Sequence, residues 1–242
     1  MKKENGFTLI ETMIALFIGM MMLTAIYTVV NSAQRSSSGV ERRVIAQQDA
    51  RGALELMAME IRMASYNPTL NSNIWVDPTD CFSIVNPTRQ TYKGIQEATA
   101  NSIAIEMDKG GATADGDGAI GDDDEIIKFN YDTANQYITR NTNCGGDQPF
   151  LGALNANEGT KTVLVVNNTA GSGNTAIPVF RYYDGSGTEI AAPVTARIPD
   201  IRRVEITLVV DTASLDQGSG VRKRIIYSTS VIPRNHIPIP TY

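Results

Sequence analysis

Residues 6–30, GFTLIETMIALFIGMMMLTAIYTVV, constrain this chain more than any other stretch. From Phe7 to Val30 the run holds one charged side chain, Glu11. At about 1.5 Å per helical residue it makes a rod of about 36 Å, longer than the roughly 30 Å hydrocarbon core of a bilayer. The segment therefore reads as a membrane-spanning helix. A carboxylate costs about 2.5–3.5 kcal/mol or more at the centre of such a helix and less near its end, so Glu11 asks for a reason. Lys2 and Lys3 precede the run. They predict a single-pass protein whose N-terminus stays cytoplasmic and whose remainder is exported.

A secretory signal would place a small-residue cleavage site after an apolar core of 7–15 residues. Here the core is too long and no such site follows it; instead Gly6-Phe7 stands between the basic leader and the apolar run, followed by Thr8, Leu9, Ile10 and Glu11. GFTLIE resembles the processing motif of type IV prepilins and type II secretion pseudopilins. The resemblance implies that a membrane-bound prepilin peptidase and methyltransferase cuts between Gly6 and Phe7. Residues 1–6 are then removed as a leader and Phe7 becomes the N-methylated first residue. It also implies that Glu11, fifth in the mature chain, pairs with the N-terminal amine of a neighbouring subunit during assembly. The physics is sound, since a carboxylate and an ammonium buried together offset the desolvation that either alone would suffer. A plain signal anchor with a chance glutamate is the alternative.

Beyond the span, residues 31–38 are polar and small, and Gln34–Gly39 (QRSSSG) could loosen the helix. Periodicity returns over residues 40–64, where Ala50, Ala53, Leu54, Met57, Ile61 and Ala64 recur on one face. Asn67-Pro68 makes a stop. No proline interrupts residues 7–65, which predicts one long helix, membrane-embedded over 7–30 and amphipathic over 31–66. Residues 50–68, ARGALELMAMEIRMASYNP, resemble PilW-type minor pilins and the related J-type pseudopilins, and so do the closing VEITL (204–208) and RIIYSTSVIPRN (224–235). In that resemblance Arg51, Glu55, Glu60 and Arg62 meet neighbouring subunits; read from residue type alone, they form a solvated helix face.

Residues 67–242 read as an exported β domain. Strands are predicted at 102–107, 125–131, 137–140, 162–166, 179–183, 203–210 and 224–231, with a hairpin turn at Asp132–Asn135. A long helix followed by antiparallel strands gives an α+β fold, the pilin-like architecture the resemblance implies. The family resemblance does not extend to residues 69–100 and 141–173.

Cys81 and Cys144 both fall in the exported part, where an oxidising compartment makes a disulfide the default; two buried free thiols are the alternative. Residues 108–125, DKGGATADGDGAIGDDDE, pack seven acids among five glycines. Oxygen-rich loops suit Ca²⁺, and Asp115, Asp117, Asp122 and Asp124 are the candidate ligands. The EF-hand pattern fails, since Ile120 and Ile126 stand where it needs Gly and Glu. An acidic loop that keeps a sheet edge soluble explains the same residues without a metal.

No catalytic motif is present: the sequence lacks G-x-S-x-G, H-E-x-x-H and a P-loop. The single histidine, His236, lies in a proline-rich tail with no nearby carboxylate and reads as a surface residue. Tyr66 and Trp75 read as packing residues. A net charge of −5 and a pI near 5.0 exclude the basic footprint of a nucleic-acid binder. The functional expectation is a minor pilin of the priming or tip complex, working with major and minor pilins, the prepilin peptidase and inner-membrane assembly machinery, and requiring no cofactor. A secretion-system pseudopilin, or a membrane-tethered binding protein, remains the alternative.

Overall fold

A computed structural model describes residues 6–71, 74–76, 94–110, 116–152, 162–216 and 219–236. One helix, α1 (Leu9–Met63), runs 55 residues without a break, so the small polar stretch at Gln34–Gly39 does not interrupt it. Thr8 caps its start in extended backbone. At the other end Ala64 leaves helical geometry and Ser65 takes a left-handed φ of 66°, ahead of the proline that the sequence marked as a stop.

The first part of α1 is bare, with Phe7 and the large apolar side chains through Val30 all exposed. From Ala46 onward one face is covered. Ala46, Ala50, Ala53, Leu54, Met57, Ala58 and Ile61 are buried, and with the buried Ala64 just past the helix they include the stripe read from the periodicity. The alanines on that face let the sheets approach closely.

Among the described residues nine strands form two antiparallel sheets. The first is a meander of β1 (Ile95–Ala98), β2 (Ser102–Glu106), β3 (Ile126–Asp132), β4 (Tyr137–Thr142) and β5 (Gln148–Leu151) in sequence order. The β3–β4 hairpin pairs Asp132 with Tyr137, and the Asp132 carboxylate accepts from the Ala134 and Asn135 N–H groups within the turn. The second sheet is built on β8 (Arg203–Thr212). Along one edge it pairs with β9 (Arg224–Val231) over eight residue pairs. Along the other it pairs with β6 (Val163–Val165) at its C-terminal end and β7 (Phe180–Tyr183) at its N-terminal end.

Helix α1 contacts β5, β6, β8 and β9, and one core joins the helix stripe to both sheets. Buried tyrosines cross between them. The Tyr182 hydroxyl donates to the carbonyls of Thr99 (2.9 Å) and Ser102 (3.1 Å), and that of Tyr131 donates to the Val165 carbonyl at 2.9 Å. The architecture is α+β, as in pilins.

Two strands were not foreseen, and each has a physical reason. β5 contains Pro149, which lacks a ladder donor and is tolerated because this strand forms the sheet edge. β1, also an edge, is only four residues long and shows no alternation, with burial on both faces. Gly94, just before it, has φ 50°, and a Cβ there would lie 2.4 Å from the Ser65 nitrogen. The close approach of β1 to the end of α1 thus depends on glycine.

The reading of His236 as a surface residue is corrected. It is 2% exposed, with Nδ1 3.0 Å from the Ser65 hydroxyl and Nε2 2.9 Å from the Ile198 carbonyl. A carbonyl only accepts, so Nε2 carries a proton and donates to Ile198, and in the neutral ring Nδ1 then accepts from Ser65. The tail is thereby pinned where α1 ends. Trp75 is a core residue at 5% exposure, and Tyr66 packs half-buried against the core.

Candidate functional site

At the processing motif, Gly6, Phe7 and Thr8 lie outside helical backbone, immediately before Leu9. Phe7 is 91% exposed, so the Gly6–Phe7 bond stands in accessible, non-helical chain. A Cβ placed on Gly6 would meet nothing within 4 Å, and its φ is not in the left-handed region. The fold therefore gives no reason for glycine at this position.

Glu11 is engaged locally. The Thr8 backbone N–H and hydroxyl each donate to Glu11 Oε2 at 2.9 Å, and the Glu11 N–H donates to the Thr8 hydroxyl at 3.3 Å. This is a capping box, T-x-x-E, which satisfies donors at a helix start reciprocally. The signal was present in the sequence as Thr8-Leu9-Ile10-Glu11. In the isolated chain Glu11 thus holds its own helix terminus, and its carboxylate is exposed close to Phe7.

Further along α1 the four charged residues suggested for subunit contacts divide. Arg51, Glu55 and Arg62 are exposed. Glu60 is buried and bound within the chain: Arg140 on β4 donates from Nη2 to Glu60 Oε1 at 2.8 Å and from Nε to Oε2 at 3.2 Å. Glu60 is therefore a clamp between helix and sheet, which removes it from the set facing neighbours or solvent. Arg140 also pairs with Asp124 at 2.9 Å. Burial alone would lower the Arg140 pKa; its hydrogen bonds to Glu60 and Asp124 outweigh that and raise it.

The acidic segment is organised by two carboxylates that the calcium reading left out. Asp108 is fully buried and accepts from the N–H groups of Asp117 and Gly118 at 3.1 Å each. Gly116, at φ 93°, admits that carboxylate where a Cβ would collide with it. Glu125, also fully buried, accepts from the N–H groups of Lys109, Gly121 and Asp122 at 2.8–2.9 Å. Burial pushes its carboxyl above the usual range, and those three N–H groups pull the other way.

Of the candidate ligands, Asp117 accepts from the Ala119 N–H and Asp124 is taken by Arg140. Asp122 has one buried oxygen without a hydrogen-bond partner among the described residues, and Asp115 lies outside them. Among the described residues no group of three or more metal-ligating side chains could hold an ion. Cys144, just past β4, is disulfide-bonded; Cys81 lies outside the described residues.

Compared with known families, residues 1–27 match the prokaryotic N-terminal methylation motif. This match supports a type IV pilin-like protein, a pilin or pseudopilin precursor processed by prepilin peptidase and assembling with other pilins. The apolar start of α1, long enough to cross a membrane, fits anchoring in the inner membrane. No curated protein and no solved structure matches the chain.

Proposed function

We propose that this chain is a minor type IV pilin of the priming or tip complex. The observation that carries the reading is the methylation motif over residues 1–27 at the head of a 55-residue helix whose first half is bare. An apolar rod of that length is stable in only two settings, a bilayer or a bundle of like rods. Cleavage after Gly6 and methylation of Phe7 produce an amine close to Glu11, and exchange of the Thr8 hydrogen bonds for a neighbour's ammonium carries the helix from bilayer to bundle. Its partners are the major and minor pilins, the prepilin peptidase and the inner-membrane assembly machinery. Before assembly the β domain is periplasmic, and there Cys81 pairs with Cys144. The reading invokes no metal.

A large two-sheet domain with long loops favours a position used once per fibre over one repeated along it. Immunoblotting of sheared fibres tests this choice. The chain is expected as a trace component of that fraction, and its deletion is expected to remove the fibres. Normal fibres combined with a loss of folded-protein secretion would assign it to a secretion system instead.

A further inference from the structure

The β8–β9 loop turns back onto α1 just above the membrane span. Residue Gly39 is the contact point, where a Cβ would stand 3.4 Å from Asp216 Oδ1. A cleft there is lined by Arg35, Arg42 and Arg43 of the helix with Leu215, Asp216 and Lys223 of the loop. Gly39 lies nine residues past Val30, about 14 Å along the helix axis. Helical side chains lean toward the helix N-terminus, which here is the membrane side.

Charge is segregated about this level. Residues 31–45 carry Arg35, Arg42 and Arg43 against Glu41, and residues 211–224 carry Arg222, Lys223 and Arg224 against Asp211 and Asp216, in a chain of net charge −5. Two of the three acids are paired beside the loop, Asp211 with Arg224 at 2.9 Å and Asp216 with Lys223 at 3.5 Å. Arg222 braces the loop through the carbonyls of Thr212 and Ala213. Arg35, Arg42 and Arg43 are exposed. The acidic segment sits at the opposite end of the domain, where the Asp108 N–H donates to the Tyr66 carbonyl just beyond α1. Between Gly39 and Met63 the helix rises about 36 Å.

Among the cations stand exposed apolar side chains, Leu215 at 55% and Val221 at 59% on the loop and Val40 on the helix. The anionic surface that lies next to this collar is the headgroup region of the bilayer itself, an interface that takes cations together with apolar side chains. We propose that this basic and apolar collar docks on the anionic phospholipid headgroups of the membrane that α1 crosses, holding the domain upright on the bilayer until assembly. The headgroup layer extends the bilayer to about 40–45 Å overall. Its field reaches about 8 Å further at physiological salt, which brings Arg35 within range directly and Arg42 and Arg43 through long side chains that lean back toward the membrane.

The inference rests on the membrane-anchored reading, and the test separates the two. The full chain is placed in nanodiscs of phosphatidylcholine alone or mixed with phosphatidylglycerol, and hydrogen exchange is followed over residues 31–45 and 211–224. Exchange is expected to slow only in the anionic discs and to recover in high salt. Because each cation near such a surface changes occupancy about fivefold, the combined variant Arg35→Gln, Arg42→Gln, Arg43→Gln is expected to weaken docking about a hundredfold. Leu215→Ser supplies a second variant that leaves the charge unchanged and is expected to weaken docking as well. Equal exchange in both lipids overturns the proposal alone. Protection that appears in neutral discs and rises with protein density also overturns it, in favour of a second copy's acidic end. A chain that fails to enter the discs overturns the anchored reading itself.

Discussion

Glu11→Ala is expected to abolish assembly while leaving the β domain folded and the helix in the membrane. The domain core begins at Ala46, some 50 Å along the helix from Glu11 at about 1.5 Å per residue, so its stability does not depend on this side chain. The substitution removes two things at once. It removes the carboxylate that accepts from the Thr8 N–H and hydroxyl, worth about 1 kcal/mol as a helix cap. It also removes the charge that would neutralise a neighbour's N-terminal ammonium in the helix bundle. Glu11→Gln separates these contributions, because glutamine completes a capping box as glutamate does but cannot form an ion pair. An ammonium buried without a counter-ion costs several kcal/mol, enough to block incorporation. Both variants are therefore expected to be absent from purified assemblies and present in membranes, as measured by fractionation and by the melting of the extracted protein. Assembly of the glutamine variant at the normal level would show that capping, and not charge pairing, is what Glu11 supplies.

The second large effect is expected at the clamp between helix and sheet. Arg140→Ala leaves Glu60 with its side chain 10% exposed and no cation opposite. Breaking a buried pair from one side costs about 3–5 kcal/mol, which in a domain of this size lowers the melting temperature by about 6–20 °C. Glu60→Ala is expected to cost less, because Arg140 keeps Asp124 at 2.9 Å in a more exposed position. The double replacement Glu60→Leu, Arg140→Met is expected to recover part of the loss, since apolar residues of similar size can replace a buried pair. Thermal unfolding of the four proteins checks the ranking. Equal and small effects from both alanine variants would mean that the clamp contributes little to holding α1 on the sheets.

The same clamp shows where reading the sequence stops. The alanine and leucine stripe of α1 was legible because burial at helical spacing is a local pattern. The hairpin at Asp132–Asn135 was legible because its turn residues lie between two alternating strands. Glu60 and Arg140 are 80 residues apart, and nothing local in either stretch announces the other. His236 was misread for the same reason, since its partners Ser65 and Ile198 are distant in the chain. β1 and β5 were missed because short edge strands carry little periodicity, and Pro149 argues against a strand until the edge position is known. In the acidic segment the count of carboxylates suggested a metal, while the structure spends Asp108 and Glu125 on backbone N–H groups. The motif GFTLIE was legible because it is local, and it lies within residues 1–27, which match the N-terminal methylation motif. The capping box was equally local, spelled out by Thr8 and Glu11.

The central claim is that residues 1–6 are a leader and that α1, beginning beside Phe7, is the working element of an assembly. Intact mass of the protein extracted from membranes tests it most directly. The expected result is a chain that starts at Phe7 and carries one added methyl group, found only where prepilin peptidase is present. A mass matching an uncut N-terminus, in cells with an active peptidase, would contradict the account.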